Sequence, residues 1–242
     1  MGGVKKEYCL LEGPGETVLA QAARAFIVFP CISVIAITVP DSGEEAARRA
    51  LPSELLEMGS PKIIFVPGGA TRRASVHNAL SALAEFNPAY ALVHDGGRPW
   101  VSRSLIERVI EGVKRHGAVI PVLPLTETPK ETDAPLDAGW VACSDASGCG
   151  SGCDAGEGSL AGNAAVFVTR HLRRVCVGAA QTPQAFSFRE LLAAHEKAAL
   201  RESRDGYEYT DDAEVWGEFC GRVAVVPGAS ENRKITFPQD LR

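Results

Sequence analysis

The sequence predicts an α/β fold with a largely parallel sheet that is covered by helices on both faces. Short β-branched runs alternate with helical patterns along the chain, which is typical of successive βαβ units. Most of these runs are apolar throughout, as strands buried on both faces are. Polar and glycine-rich segments follow the runs, at the strand ends where open α/β sheets bind ligands.

Six segments have the composition of buried strands. They are residues 34–39, 63–66, 89–93, 118–122, 165–168 and 223–226. Between them, Ser104 and Glu107 form a capping-box pattern before an apolar helical face, and Gly117 is the predicted stop. Ser187 and Glu190 repeat this pattern before a second helix. Two more helices are predicted, one after the glycines at 68–69 and one from 210–212 to 221.

Composition and charge exclude several classes of protein. The 242 residues include 25 Lys and Arg against 30 Asp and Glu, a net charge of −5 that argues against a general nucleic-acid binder. No apolar run approaches the length of a membrane span, and residues 1–7 lack a signal-like apolar stretch. We therefore expect one cytoplasmic domain over residues 1–242, with no membrane and no nucleic acid among its partners.

The seven cysteines fit a reducing compartment. Four of them lie among apolar segments and are predicted to be small buried residues: Cys9, Cys31, Cys176 and Cys220. Cys143, Cys149 and Cys153 lie in a Gly/Ser-rich stretch, and His171 could complete a zinc site with them. Their wide spacing favours incidental thiols in a loop, so no protein metal ligand is predicted.

Residues 131–163 depart from the alternating pattern. Hydrophobic content falls there, and residues 148–162 contain six glycines. Such a stretch buries too little apolar surface to order itself alone. It is either a loop or an arm that orders against another chain.

Two strand ends carry candidate ligand-binding residues. Gly68-Gly69 follows one predicted strand and precedes a helix, where backbone N–H groups bind anions. Asp95 follows the next strand, with glycines and Arg98 behind it, and suits a hydroxylated phosphorylated ligand or a metal-phosphate group. The alternative for each is an ordinary tight turn.

Basic residues cluster at element ends in this acidic chain. They are Lys5, Lys6, Arg72, Arg73, Arg98, Lys130, Arg173, Arg174 and Lys234. If they converge, they form a local anion site despite the net charge. The alternative is solvated surface charge.

Seven segments in register resemble the 2-C-methyl-D-erythritol 4-phosphate cytidylyltransferase family. They are residues 5–8, 68–76, 93–99, 126–130, 181–186, 210–213 and 232–236. The resemblance implies a Rossmann-like nucleotidyltransferase domain that forms a homodimer through a protruding β-arm, at residues 131–163 here. It also implies that CTP and the polyol phosphate give the cytidine diphosphate conjugate and pyrophosphate, with Mg²⁺ on the CTP phosphates.

The resemblance assigns roles residue by residue. The residues expected to be catalytic, by neutralising or positioning the reacting phosphates, are Lys6, Arg174 and Lys234. Those expected at CTP are Gly68, Gly69, Ser75 and Asp95. Those expected at the polyol phosphate are Asp95, Arg98, Thr128, Lys130 and Thr182.

The chain departs from the family pattern at several places. Gly96-Gly97 replaces Ala-Ala, and Lys5-Lys6-Glu7 replaces Pro-Lys-Gln. The family opens with a strand and Ala-Ala-Gly-x-Gly-x-Arg, which this sequence does not contain. We therefore expect in-frame codons upstream of Met1 to encode that segment.

Two other functions compete with the leading one. A ribitol 5-phosphate cytidylyltransferase shares much of the motif set and differs in how the polyol is held. A non-catalytic relative would bind nucleotide without turnover. Product formation with each polyol phosphate, and CTP binding without product, separate the three.

Overall fold

The computed structural model describes residues 5–13, 15–136 and 166–241 of the chain. It contains two compact units, Met1–Leu123 with Ala180–Arg242 and Pro124–Ala179. No helix among these described residues is long and apolar enough to cross a membrane.

Helices and strands follow one another along the first unit, and two short strands with most of a third lie in the second. The α-helices are α1 (Val18–Ile27), α2 (Glu44–Arg49), α3 (Ser53–Glu57), α4 (Arg72–Leu83), α5 (Arg103–His116), α6 (Phe188–Asp205) and α7 (Asp212–Phe219). The strands are β1 (Val34–Val39), β2 (Lys62–Pro67), β3 (Tyr90–Val93), β4 (Ala118–Pro124), β5 (Lys130–Thr132), β6 (Val168–His171), β7 (Gly178–Ala180), β8 (Gln184–Ser187) and β9 (Ala224–Pro227). Short 3₁₀ turns cover Lys6–Tyr8, Ala84–Phe86, Arg174–Cys176 and Pro238–Leu241.

The predicted α/β class is confirmed, and the strand directions are mixed. β1 pairs with β2 in parallel, and β4 pairs with β9 in parallel. β8 lies between β3 and β4 and is antiparallel to both. The sequence analysis missed β8. Its four residues include the polar Gln184 and Ser187, so they do not form the continuous apolar run by which the other strands were predicted.

Two predicted helix caps and one predicted strand are wrong in detail. α5 begins at Arg103, because the hydroxyl of Ser102 rather than Ser104 accepts the capping bond, from Leu105 N at 3.4 Å. Ser187 precedes α6 without a side-chain cap bond. The strand predicted at 165–168 begins at 168, where β6 finds its partner β5. The predicted stop at Gly117 is confirmed by its left-handed φ of 76°.

The core that supports the site lies between α5 and the central strands. Leu105 and Val109 are fully buried against Val119 of β4 and Ala185 of β8. Gly112 allows this close approach, since a Cβ there would lie 2.9 Å from a methyl group of Val119. Each buried aliphatic side chain contributes about 1.5–3 kcal/mol. This packing fixes the strand ends from which the site is built.

The second unit contains an antiparallel pair of short strands. Lys130 of β5 is opposite His171 of β6. Outside β6, the amide of Phe167 donates to the Asp133 carboxylate at 2.9 Å. Of the predicted arm at 131–163, residues 131–136 are described, whereas Cys143, Cys149 and Cys153 lie outside the described residues.

The prediction of buried cysteines is wrong. Cys31, Cys176 and Cys220 are exposed, and Cys9 is half-buried. Each lies at or beyond the end of a helix, strand or turn rather than inside one, so the apolar neighbours in sequence do not enclose it.

Candidate active site

Asp95 lies just beyond β3 and is the acidic centre of the site. Its Oδ2 is 3.1 Å from Lys234 Nζ and 3.3 Å from Arg98 Nε. Burial of Asp95 opposes its ionisation, but Lys234, Arg72 and Arg98 outweigh burial and hold the pKa of this carboxyl below its usual value. Asp95 is therefore an anion within a cationic surrounding, able to accept hydrogen bonds from ligand hydroxyls.

Lys6 reaches the same place from the other end of the chain. Lys6 Nζ donates to the carbonyl oxygen of Ile235 at 2.8 Å, and Ile235 N donates to Gly97 O at 2.8 Å. A Cβ on Gly97 would lie 3.4 Å from Lys6 Cε. The Gly96-Gly97 turn thus brings Lys6 beside the segment that carries Lys234, and this part of the predicted convergence of cations is confirmed.

Arg98 is mostly occupied by protein partners. Its Nη1 donates to Asn232 O at 2.8 Å while Nε faces Asp95. The side chain is 12% exposed. Arg98 therefore joins the turn after β3 to the C-terminal segment, and its predicted contact with the polyol phosphate stays a prediction.

The Gly68-Gly69 loop joins β2 to α4. Gly69 N donates to Ser75 Oγ at 3.0 Å, and Ser75 Oγ donates to Thr71 O at 3.0 Å. A Cβ on Gly69 would lie 2.4 Å from the Cβ of Ala74, so this fold of the loop requires glycine. Thr71 is the N-cap of α4, and its hydroxyl accepts a hydrogen bond from Ala74 N at 3.0 Å. Gly69 and Ser75 are therefore hydrogen-bonded to each other at the start of α4, with Gly68 beside them, and their predicted contact with CTP stays a prediction.

Arg72 and Arg73 are neighbours in sequence with different surroundings. Arg72 Nη2 lies 2.7 Å from Asp212 Oδ2, and its charge acts on Asp95. Arg73 is buried, with Nε 2.6 Å from Glu202 and Nη1 bonded to His195 O at 3.2 Å. The prediction that both arginines join the anion site is wrong for Arg73, because successive residues point to different sides of a helix.

Asp212 is fully buried at the start of α7. Its Oδ1 is 3.2 Å from Nε2 of the equally buried His195, and Oδ2 faces Arg72. Burial opposes ionisation, but His195 and Arg72 outweigh it and keep the pKa of Asp212 below its usual value. The pair anchors Arg72 from the interior.

His94 and Thr182 lie behind Asp95. Thr182 Oγ1 accepts from Asp95 N at 3.0 Å and is 3.1 Å from His94 Nδ1. Asn232 Nδ2 donates to Thr182 O at 2.8 Å. Sequence reasoning placed Thr182 at the substrate and assigned no role to His94 or Asn232. The histidine directly before an aspartate at a strand end was the available signal.

The other predicted site residues belong to the second unit. Arg174 Nη1 donates to Thr126 O at 2.6 Å, and Lys130 Nζ donates to His171 Nδ1 at 3.0 Å. Thr128 is exposed between β4 and β5. The predicted pairing of Arg174 with Lys234 on one phosphate stays a prediction.

Comparison with known proteins identifies the family. Residues 1–145 and 159–242 match the family described as 2-C-methyl-D-erythritol 4-phosphate cytidylyltransferase. The chain belongs to this family. It is 32% identical over 238 residues to the bifunctional enzyme IspD/IspF of Brucella abortus, covering 98% of this chain and 50% of that protein. Its identity to the enzyme of the same name from Rhodopseudomonas palustris is 34%, covering 99% of this chain and 49% of that protein.

Solved structures agree with this assignment. The 2-C-methyl-D-erythritol 4-phosphate cytidylyltransferase of Thermus thermophilus is 30% identical, with a TM-score of 0.63 over 98% of this chain and 90% of that one. That of Francisella tularensis is 26% identical, with a TM-score of 0.72 over 99% and 91%. The chain spans about half the length of the curated relatives it matches.

Proposed function

We propose that the protein transfers the cytidylyl group of CTP to 2-C-methyl-D-erythritol 4-phosphate and releases pyrophosphate, a step of non-mevalonate isoprenoid synthesis. The observation that carries the proposal is the Asp95 carboxylate held between Lys234 and Arg98, with Lys6 beside them, in a member of this family. A carboxylate among cations suits a ligand that has both hydroxyl and phosphate groups.

The chemistry requires positioning and charge neutralisation. An oxygen of the polyol phosphate attacks the α-phosphorus of CTP, and the bond from that phosphorus to the bridging oxygen breaks to release pyrophosphate. Lys6 and Lys234 are proposed to neutralise charge on the phosphates, and Asp95 to accept hydrogen bonds from the hydroxyls. Preorganised charges of this kind lower the barrier because they need no reorganisation during the reaction.

The proposal includes Mg²⁺ as a companion of CTP. No group of three or more His, Cys, Asp or Glu side chains able to hold a metal occurs in residues 5–13, 15–136 and 166–241. The carboxylate of Asp95 already faces two cations. The side chains in this described part of the chain therefore do not fit a resident metal, whereas Mg²⁺ commonly binds through nucleotide phosphates.

We also propose a homodimer formed through the arm, in the cytoplasm. The second unit exposes Phe167, Val168 and Leu136 near the β5–β6 pair, with 64%, 48% and 53% of their surface accessible. Clustered exposed apolar side chains support an interface. The free thiols of Cys9, Cys31, Cys176 and Cys220 support a reducing compartment.

Pyrophosphate release with CTP and Mg²⁺ tests the proposal. The methylerythritol phosphate and ribitol 5-phosphate are compared in parallel reactions, with a reaction lacking the polyol phosphate as the control. We expect turnover with the methylerythritol phosphate. Turnover with ribitol phosphate alone would contradict the proposal, and CTP binding by calorimetry without any product would identify a non-catalytic relative.

A further inference from the structure

We propose that His94 and Thr182 are positioning residues that fix Asp95 from behind, by a hydrogen-bonded chain of defined direction. The kinetic part of this inference rests on the proposed function, and the structural part does not. The inference assigns no contact with substrate to the side chain of His94 or of Thr182.

The chain runs through four groups. Asp95 N is 3.0 Å from Thr182 Oγ1, and that hydroxyl is 3.1 Å from His94 Nδ1. On the other side of the ring, His94 Nε2 is 3.0 Å from the carbonyl oxygen of Arg98. All three separations are those of ordinary hydrogen bonds.

Obligate donors and acceptors determine where the protons lie. The backbone N–H of Asp95 can only donate, so Thr182 Oγ1 accepts. Two backbone carbonyls act on the ring, those of Arg98 and Thr182, and the stronger contact is with Arg98 at 3.0 Å; because that carbonyl can only accept, we assign the ring proton to His94 Nε2. The unprotonated Nδ1 then accepts the hydroxyl proton of Thr182. The opposite tautomer would place two lone pairs against each other at Arg98.

Burial supports this arrangement. The His94 ring packs against Phe26 with ring centres 4.9 Å apart, and Thr182 is 5% exposed. Burial lowers the pKa of His94 to about 4, so the ring is neutral at physiological pH. The three hydrogen bonds are half-buried, so water would compensate only in part for a lost partner.

The chain uses the single proton of the Thr182 hydroxyl and one of its two acceptor positions, so this hydroxyl has no proton left to donate to a ligand. It donates to His94 and accepts from Asp95, while Asn232 holds the Thr182 carbonyl at 2.8 Å. Thr182 therefore acts on the polyol phosphate through Asp95. With its N–H held by Thr182 and its carboxylate by Lys234 and Arg98, Asp95 is fixed at both ends.

Nuclear magnetic resonance of the ligand-free protein tests the chain directly. Thr182→Ser keeps the hydroxyl, and Thr182→Val keeps the shape without it. We expect the wild type and Thr182→Ser to show the Nε2–H tautomer of His94. Thr182→Val should make the Asp95 amide exchange about 10-fold faster or more, on the scale of one lost buried bond. The proposal would be overturned if Thr182→Val had the same Asp95 amide exchange rate and the same His94 ring chemical shifts as the wild type.

Kinetics test the action through Asp95. Thr182→Ser should stay within about 3-fold of wild type, and Thr182→Val should lower kcat/KM for the polyol phosphate about 10-fold to 100-fold. The KM for CTP should change little. In an Asp95→Asn background, Thr182→Val should add less than about 2-fold, because a residue acting through Asp95 loses its effect when the carboxylate is gone.

Additive losses from the two substitutions would overturn the positioning role and indicate a direct contact of Thr182 with substrate. If Thr182→Val does not fold, Thr182→Ala in the same measurements replaces it, and the tautomer of His94 in the wild type still decides the direction of the chain. If the wild type shows no turnover, the proposed function is contradicted. The nuclear magnetic resonance experiment still tests the hydrogen-bonded chain through Thr182 and His94, because it needs no activity.

Discussion

At the scale of single residues, Lys234 is the cation whose role is most easily isolated. Its Nζ lies 3.1 Å from Asp95 Oδ2 and its side chain is 47% exposed, so it can reach a ligand. Lys234→Ala should lower kcat/KM for the polyol phosphate by about 100-fold, the scale of one preorganised donor. The exposed Lys114→Ala on α5 serves as the matched control and should behave as wild type. A loss of CTP affinity as large as the loss of turnover would move Lys234 to the nucleotide.

The titration of His94 makes the free energy of unfolding depend on pH, with a predictable sign. Burial lowers its pKa from 6.5 to about 4 in the folded protein, so the unfolded chain binds the proton more readily between these values. Stability should therefore be highest above pH 6.5 and fall as pH decreases to about 4, by up to about 3 kcal/mol from this group. Urea unfolding at pH 7 and pH 5, with His94→Asn as the comparison, measures the slope. A His94 ring that titrates near pH 6.5 in the folded protein would contradict this prediction.

At the scale of elements, buried ion pairs hold α4 to α6 and α7. Asp212 at the start of α7 is fully buried against Arg72, the first residue of α4. Asp212→Ala leaves the Arg72 guanidinium, which is 34% exposed, without its ion-pair partner and opens a buried space, so it should lower the free energy of unfolding by about 1–3 kcal/mol. Glu107→Ala, which breaks the exposed Arg103–Glu107 pair on α5, should cost about 0–1 kcal/mol.

Urea unfolding monitored by circular dichroism compares the two variants. Equal losses from Asp212→Ala and Glu107→Ala would show that the buried pair does not anchor the helix. Because Asp212 also orients Arg72 near Asp95, the folded fraction of Asp212→Ala should bind CTP or the polyol phosphate more weakly, whereas Glu107→Ala should not.

Element by element, the sequence predicted what local pattern encodes. Gly117 ends α5 because a left-handed stop is a local property, whereas the cap of α4 at Thr71 was not predicted and the caps predicted at Ser104 and Ser187 were wrong. β8 was missed, since only pairing with β3 and β4 makes its four residues a strand. Arg72 and Arg73 look alike in sequence, and only the rotation of α4 separates the site residue from the buried one.

At the scale of the whole molecule, motifs far apart in sequence predicted which residues come together better than they predicted the hydrogen bonds among those residues. Lys6, Asp95 and Lys234 come together although more than 200 residues separate Lys6 from Lys234, and the resemblance of their motifs to one family predicts that they share a site. The hydroxyl of Thr182 was predicted to face substrate because its motif lies at the site. Its burial and its two protein partners depend on tertiary packing, which a motif does not describe.

Assembly provides the last prediction, and it concerns the second unit. Phe167 is 64% exposed beside β6, whereas Leu200 is 71% exposed on α6 in the first unit. If the arm forms a two-fold interface, Phe167→Asp places a charge in that interface on both subunits and should weaken the dimer about 10-fold or more. Leu200→Asp should leave it intact. Light scattering after size-exclusion chromatography, over a dilution series, measures the dissociation of the dimer for both variants and for the wild type. A wild type that is monomeric would contradict the proposed dimer, and a dimer broken by Leu200→Asp alone would place the interface elsewhere.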